Sequence, residues 1–180
     1  TISGGVITSV ELGIYHPQAG ELTITGGTIT GSTGVEMRAG TLRVSGDAQI
    51  TGTGSTYAST ANGSGATTTG VGIAIAQHTT KLDIDVAISG GTITGVRALD
   101  EANPQNNDAE YIAKVKLSVT GGEFKGAVAS ADVKNFLAGG TFDTEPDASY
   151  LAEGYQKVQS EGVWGVDPTT GAEAQIGTRN

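Results

Sequence analysis

The chain contains no cysteine. Disulfides, thiol nucleophiles and cysteine-held metals are therefore excluded. Aromatic residues make up 5% of 180 residues, with a single tryptophan, which is too few for an ordinary globular core. Basic residues number 10 against 19 acids, giving a net charge of −9, and they form no run. Sequence-nonspecific nucleic-acid binding is thereby disfavoured. The acidity otherwise favours solubility. No run of about 20 apolar residues is present, so no membrane insertion is expected. The two histidines, His16 and His78, have no matching acid and nucleophile nearby in sequence and are expected in exposed loops.

Glycine is what the chain has in plenty, with 29 residues. It does not fall at every third position, which excludes collagen, and the apolar alternation between glycines argues against disorder. The segment Glu21–Gly40, ELTITGGTITGSTGVEMRAG, shows the pattern most plainly. Leu22, Ile24, Ile29, Val35 and Met37 alternate with polar residues in three short segments, separated by Gly26-Gly27 and by Gly31 to Gly34. Period two marks half-buried strands, and glycine permits the corners between them. Burying each aliphatic contributes roughly 1.5–3 kcal/mol. Ordering about twenty residues costs roughly 1–2 kcal/mol each. One such unit cannot stand alone and must stack on its neighbours.

The corner recurs at Gly4-Gly5, Gly26-Gly27, Gly46-Asp47, Gly90-Gly91, Gly121-Gly122 and Gly139-Gly140. Before it stand the pairs Leu22/Ile24, Leu42/Val44, Val86/Ile88 and Leu117/Val119. After it come Ile7, Ile29, Ile50, Ile93, Phe124 and Phe142. A third side offers Ile14, Val35/Met37, Val71/Ile73/Ile75, Val96 and Val128. The expected fold is all-β: a right-handed parallel β-helix of about five to six coils, with handedness taken from the crossover rule. Coils are expected over 1–143, a C-terminal cap of one short helix and a β-hairpin over 144–166, and a tail or linker over 167–180. The helix is placed at Pro146–Gly154 on its proline-first, glycine-last pattern, with Trp164 packing in the cap. Thr1 lies in mid-repeat, so the chain is expected to be covalently part of a longer parent.

Two insertions interrupt the repeat. Gly52–Gly70 is rich in glycine, serine and threonine, holds Tyr57 as its one large side chain, and is expected as a mobile surface loop, with a binding loop or an O-glycosylated segment as the functional alternative. Asp100–Glu110 is expected as a solvated loop; its acids Asp100, Glu101, Asp108 and Glu110 are weak calcium candidates because their spacing matches no EF-hand loop. No other cofactor is expected.

Lys81–Ser89 is expected to be a long strand with Asp83 and Asp85 facing outward and Arg43 near Asp83. These are the best acids for calcium-assisted lyase chemistry, although a cross-strand charge pair is the simpler explanation. Hydrolysis of a polygalacturonate type wants an Asp-Asp pair, and the sequence has none. Thr8, Thr30, Thr51 and Thr94 fall in one outward column, and Thr28-x-Thr30 and Thr92-x-Thr94 repeat a pair. Such hydroxyls could bond glycans, and arrays of this kind resemble those of ice-binding solenoids.

The "hxIxGGTIxG" units, followed by Gly139-Gly140-Thr141-Phe142-Asp143-Thr144, Tyr150 to Tyr155 and Gly162-Val163-Trp164-Gly165-Val166, resemble the pectin-lyase-like β-helix regions of large secreted or surface proteins of gut Firmicutes. The resemblance implies an extracellular or cell-surface bacterial parent and carries over no functional residue. The function expected is a non-catalytic segment for adhesion, ligand display or spacing, with a host or bacterial glycan or a protein as ligand. The alternative is a fragment of a carbohydrate lyase, hydrolase or phage depolymerase. An ice-binding array is a remote third.

Overall fold

Threonine and β-branched aliphatics alternating at period two favour extended backbone, and extended backbone is what nearly the whole chain adopts. The computed structural model describes residues 1–170. Strands run in order as β1 (Ile2–Thr8), β2 (Leu12–His16), β3 (Glu21–Gly31), β4 (Thr33–Met37), β5 (Gly40–Val44), β6 (Gln49–Gly52), β7 (Ala58–Ser59), β8 (Thr68–Thr69), β9 (Val71–Ala76) and β10 (Ile84–Ala102). One helical turn, α1 (Ala109–Ile112), precedes β11 (Val115–Ser130) and β12 (Thr141–Phe142). A 3-10 turn at Ala148–Tyr150 leads to β13 (Tyr155–Ser160) and β14 (Val163–Pro168). The chain is thus all-β, and most strands join in one sheet with parallel pairing.

The pairing falls into three rows. In the first, Ile24 lies beside Ile2 and Val44, Val44 beside Ile88, and Ile88 beside Val119. In the second, Ile7, Ile29, Ile50, Ile93, Phe124 and Phe142 are successive register partners. In the third, Ile14, Val35, Ile73, Leu99 and Val128 follow one another. Ile29, Ile50, Ile93 and Phe124 are fully buried, and the Phe124 and Phe142 rings stack with centroids 5.0 Å apart. Each row therefore feeds one shared interior.

Glycine makes that interior narrow. A Cβ on Gly34 would stand 2.7 Å from the Ile50 side chain, and one on Gly72 2.6 Å from that of Ile93. These third-row glycines leave room for second-row isoleucines. At the corners the reason differs: Gly27 and Gly91 have φ of 85° and 89°, which a side chain disfavours.

The structure corrects several sequence expectations. Val96 does not face inward; it is 45% exposed, and a register shift after Arg97 puts Leu99 in the interior instead. The strand expected from Lys81 starts at Ile84, because Lys81 turns the backbone with φ of 59°. Pro146–Gly154 is not a helix; its helical part is the 3-10 turn, on which the Asp147 side chain accepts from the Ser149 N–H. Asp167 and Pro168, expected in the tail, belong to β14. The rest of the expected tail, from Gly171 to Asn180, lies outside the described residues.

At the C-terminal end the pairing turns antiparallel. β14 lies against β12, with Trp164 opposite Phe142, and β13 pairs with β14. Phe136 and Leu137, which the sequence pattern did not single out, are buried there, with Phe136 5.1 Å from the Tyr150 ring.

Candidate functional site

The first insertion is tied down along the third row. β7 and β8 pair as a small antiparallel ribbon inside it. Its return strand meets Glu36, which β4 holds on the outer side of row three and which is fully buried. One Glu36 oxygen, Oε1, accepts from the N–H of Thr67 (3.0 Å) and Thr68 (2.8 Å) and from their hydroxyls at 2.8 and 2.5 Å. The Ser32 and Thr69 hydroxyls also bond each other. Nearby, the Gly65 N–H donates to the Tyr15 hydroxyl, and the Gly65 carbonyl accepts from the fully buried Arg38 at 3.3 Å. The expected mobile loop is therefore an anchored cover, because a buried carboxylate is stable only when donors surround it.

Tyr57 and Asp100 form the second anchor. The Tyr57 hydroxyl donates to Asp100 Oδ2 at 3.0 Å, and Arg97 reaches Asp100 Oδ1 at 2.5 Å. The Arg97 guanidinium lies 3.5 Å from the Tyr57 ring centroid, a cation–π contact. Burial pushes the Asp100 carboxyl up from its ordinary value, against the pull of Arg97. Burial, with the Asp100 charge beside it, also raises the Tyr57 phenol.

Asp100 and Glu101 were expected in a solvated loop; both are strand residues of β10 and each is 1% exposed. Their side chains serve different loops. Glu101 Oε2 accepts from the Ser130 hydroxyl at 2.9 Å and the Asp132 N–H at 2.8 Å, tying the turn after β11. Burial pushes the Glu101 carboxyl up, against the hydrogen bonds from the Asp132 N–H and the Ser130 hydroxyl. Asp108, just before α1, and Glu110, within it, are exposed. The four acids do not converge, and among the described residues no three His, Asp or Glu side chains form a metal cluster.

The second insertion joins the first. Gln105 Nε2 donates to the Asn62 carbonyl at 2.5 Å. Asn107 Nδ2 donates to Gln77 Oε1 and to the His78 carbonyl, both at 3.0 Å. The exposed tip Thr60, Ala61, Gly63 and Ser64 thus adjoins Asn103 to Asp108 in one loop surface. Behind it, Asn103, Asn107, Ile112, Asp132, Val133 and Lys134 line an open cleft of about 550 Å³.

The other candidates lie apart from this surface. Arg43 pairs with Asp85 at 2.9 Å, not with Asp83, because Arg43 is the register partner of Ala87 and reaches back along the strand. That pair is half-exposed, so it contributes about 0–1 kcal/mol. Asp83 is exposed just before β10. Thr8, Thr30, Thr51 and Thr94 are successive partners on row two, and Lys125 follows. The two Thr-x-Thr pairs lie on strands separated by β6: Thr28 and Thr92 each partner Gln49, with Val6 and Glu123 at their outer sides. His16 is no exposed loop residue; it sits half-buried in β2 with Nδ1 2.8 Å from the Ala39 carbonyl. His78 is half-buried, its Nδ1 accepting from the Thr80 N–H at 3.2 Å.

Glu36, Arg38 and Arg97 escaped the sequence reading. The one signal for the first two was position: Glu36 and Arg38 alternate with Val35 and Met37 on the strand that the Thr67 to Thr69 run can cover. Compared with known proteins, the chain matches no family model, no curated protein and no solved structure.

Proposed function

We propose that the chain is a right-handed parallel β-helix segment of a secreted or surface-displayed bacterial protein, similar to pectin-lyase-like regions, whose role is ligand display rather than catalysis. The repeated registers of the three rows support the coiled reading, since each row advances by one neighbour per repeat. The observation that carries the functional reading is how the buried acids are used. Glu36, Asp100 and Glu101 each hold a loop against the scaffold. Acids engaged in this way position a surface and do not face a substrate. The surface they position, the Thr60–Ser64 tip with Asn103 to Asp108, is polar and rich in hydroxyl and amide groups, which suits hydrogen bonding to a glycan or a protein loop.

The test is an array of host and bacterial glycans, probed with the chain and with a variant in which 60–66 is replaced by glycine and serine. Binding that the variant loses supports the reading. Binding retained by the variant contradicts it. Metal-dependent cleavage of an acidic polysaccharide, abolished by Asp83→Asn or Asp85→Asn, would establish the enzymatic alternative instead.

A further inference from the structure

We propose that Arg38, beneath the loop tip Gly63 to Ala66, is a recognition group for the carboxylate of an acidic sugar, exposed when the tip lifts. This names the class of glycan for the display surface above, and rests on that reading of it.

Arg38 follows β4 on the outer side of row three and is fully buried. A guanidinium in a protein is always charged. Among the described residues, no carboxylate lies within ion-pair distance of Arg38. Glu36, two residues earlier on the same side of the strand, uses Oε1 on Thr67 and Thr68. Arg38 instead donates Nε to the Ala76 carbonyl and Nη1 to the Gly65 carbonyl, both at 3.3 Å. Bonds from a guanidinium to an anion are shorter, about 2.7–2.9 Å. Nη2, on the same carbon as Nη1, is buried with no partner. Burying a cation without an anion is unfavourable, so this fork is short of an acceptor. Its paired N–H groups match the two oxygens of a planar carboxylate. One arginine neutralises one charge. In a chain of net charge −9, with Glu36 on the same strand, a dianion such as a phosphate monoester would keep a charge unmet.

What covers Arg38 is lightly held. The tip is folded on itself: the Asn62 side chain accepts from the Ser64 N–H and donates to the Ala66 carbonyl. Among the described residues, Gly63 to Ala66 make hydrogen bonds beyond the insertion through Gly65 alone. Its N–H goes to the Tyr15 hydroxyl and its carbonyl to Arg38. The four residues carry no apolar side chain larger than that of Ala66, so little buried apolar surface resists lifting. The ends are firmer. Gln105 holds the Asn62 carbonyl, and Glu36 holds Thr67. The tip can therefore rise between Asn62 and Thr67 while both anchors stay in place. Lifting frees the Arg38 fork and the Tyr15 hydroxyl together, with the Gly65 carbonyl having stood where a ligand oxygen would. Ala74 and Ala76 of β9 lie on the same outer side and leave room for a sugar ring. The groups around the opening, Tyr15, Asn62 and Gln105, are hydroxyls and amides, which suit sugar hydroxyls.

The experiment uses the 180-residue chain unaltered. Modification by phenylglyoxal, which condenses with accessible guanidinium groups, is followed at each arginine by peptide mass spectrometry. Arg43, whose side chain is 39% exposed, is the internal reference. A tip open for about 0.1–10% of the time makes Arg38 react about 10- to 1,000-fold more slowly than Arg43. Glucuronate at about ten times its half-protecting concentration slows Arg38 about tenfold further and leaves Arg43 unchanged. Glucose, with a hydroxymethyl group in place of the carboxylate, changes neither rate. An Arg38 rate below that range overturns the proposal and makes Arg38 a structural clamp. Equal protection by glucose, or none by glucuronate, also overturns it. None of these results overturns the ligand-display reading, which falls if the replacement of 60–66 keeps the binding on the glycan array.

Discussion

Tyr57 and Asp100 lie 43 residues apart in sequence, and the Tyr57 hydroxyl donates to the Asp100 carboxylate at 3.0 Å. This bond fastens the first insertion to the strand that opens the second. With Glu36 gripping Thr67 and Thr68, it makes the loop surface part of the scaffold. A surface positioned in this way can be recognised without a large ordering cost at each binding event.

Tyr57→Phe removes the phenol donor and leaves the ring. The expected loss is about 1 kcal/mol. Hydrogen exchange should then speed up across Ala58–Ser59 and Thr68–Thr69, with little change in β3 or β5. Uniform acceleration across the sheet would show that the bond is not local to the loop.

Glu36→Gln keeps the volume and exchanges the charged acceptor for a neutral amide. Four donor groups converge on one oxygen of Glu36, so the loss should be about 1.5–3 kcal/mol in urea denaturation. Arg43→Ala, at the half-exposed pair, should cost about 1 kcal/mol or less.

Gly72→Ala should destabilise by about 2 kcal/mol or more, although alanine is ordinarily the better strand and helix residue. The added carbon meets the Ala98 carbonyl and the Ile93 side chain, each at 2.6 Å. In an Ile93→Ala background the same substitution should cost less, because the Ile93 Cγ2 methyl that the added carbon meets is gone while the Ala98 carbonyl remains. An unchanged cost would place the whole strain at the carbonyl.

The buried Glu101 carries the pH prediction. Its folded pKa is raised above the ordinary 4.5 by burial. A carboxyl raised on folding contributes stability that is fully present below its unfolded pKa and is lost as pH rises through the folded value. The stability of the chain relative to Glu101→Gln should therefore increase as pH falls from neutrality toward 4.5. Asp147, held below its ordinary range by the Ser149 hydroxyl and N–H, works in the opposite sense, losing its contribution as pH falls below 3.8. Denaturation of both chains across this range measures the difference. A relative stability that falls on acidification would contradict the assignment.

The repeat was legible because aliphatic side chains at period two and glycine corners are local signals. Ile29, Ile50 and Ile93 could be aligned by eye, and they are register partners. Val96 was misplaced, since a register shift within β10 has no local mark and Leu99 fits the interior equally well by type. The anchors were hidden for a different reason. Glu36, Asp100 and Glu101 read as surface acids until the threonine amides, the Tyr57 phenol and the Ser130 hydroxyl reach them from distant parts of the chain. Composition suggested a free loop at Gly52–Gly70, whereas its threonines supply the donors that a buried carboxylate needs.

Parallel stacking of the repeats underlies every other claim, and the absence of cysteine makes it directly measurable. Thr51 and Thr94 are register partners on either side of the first insertion, whereas Thr51 and Lys125 are separated by Thr94. Cysteines at adjacent parallel positions lie within disulfide reach, and those two strands apart do not. On mild oxidation the Thr51→Cys/Thr94→Cys chain should form an intramolecular disulfide as a monomer, while Thr51→Cys/Lys125→Cys stays reduced. A chain in which the 51–94 pair stays reduced and the 51–125 pair closes would contradict the account.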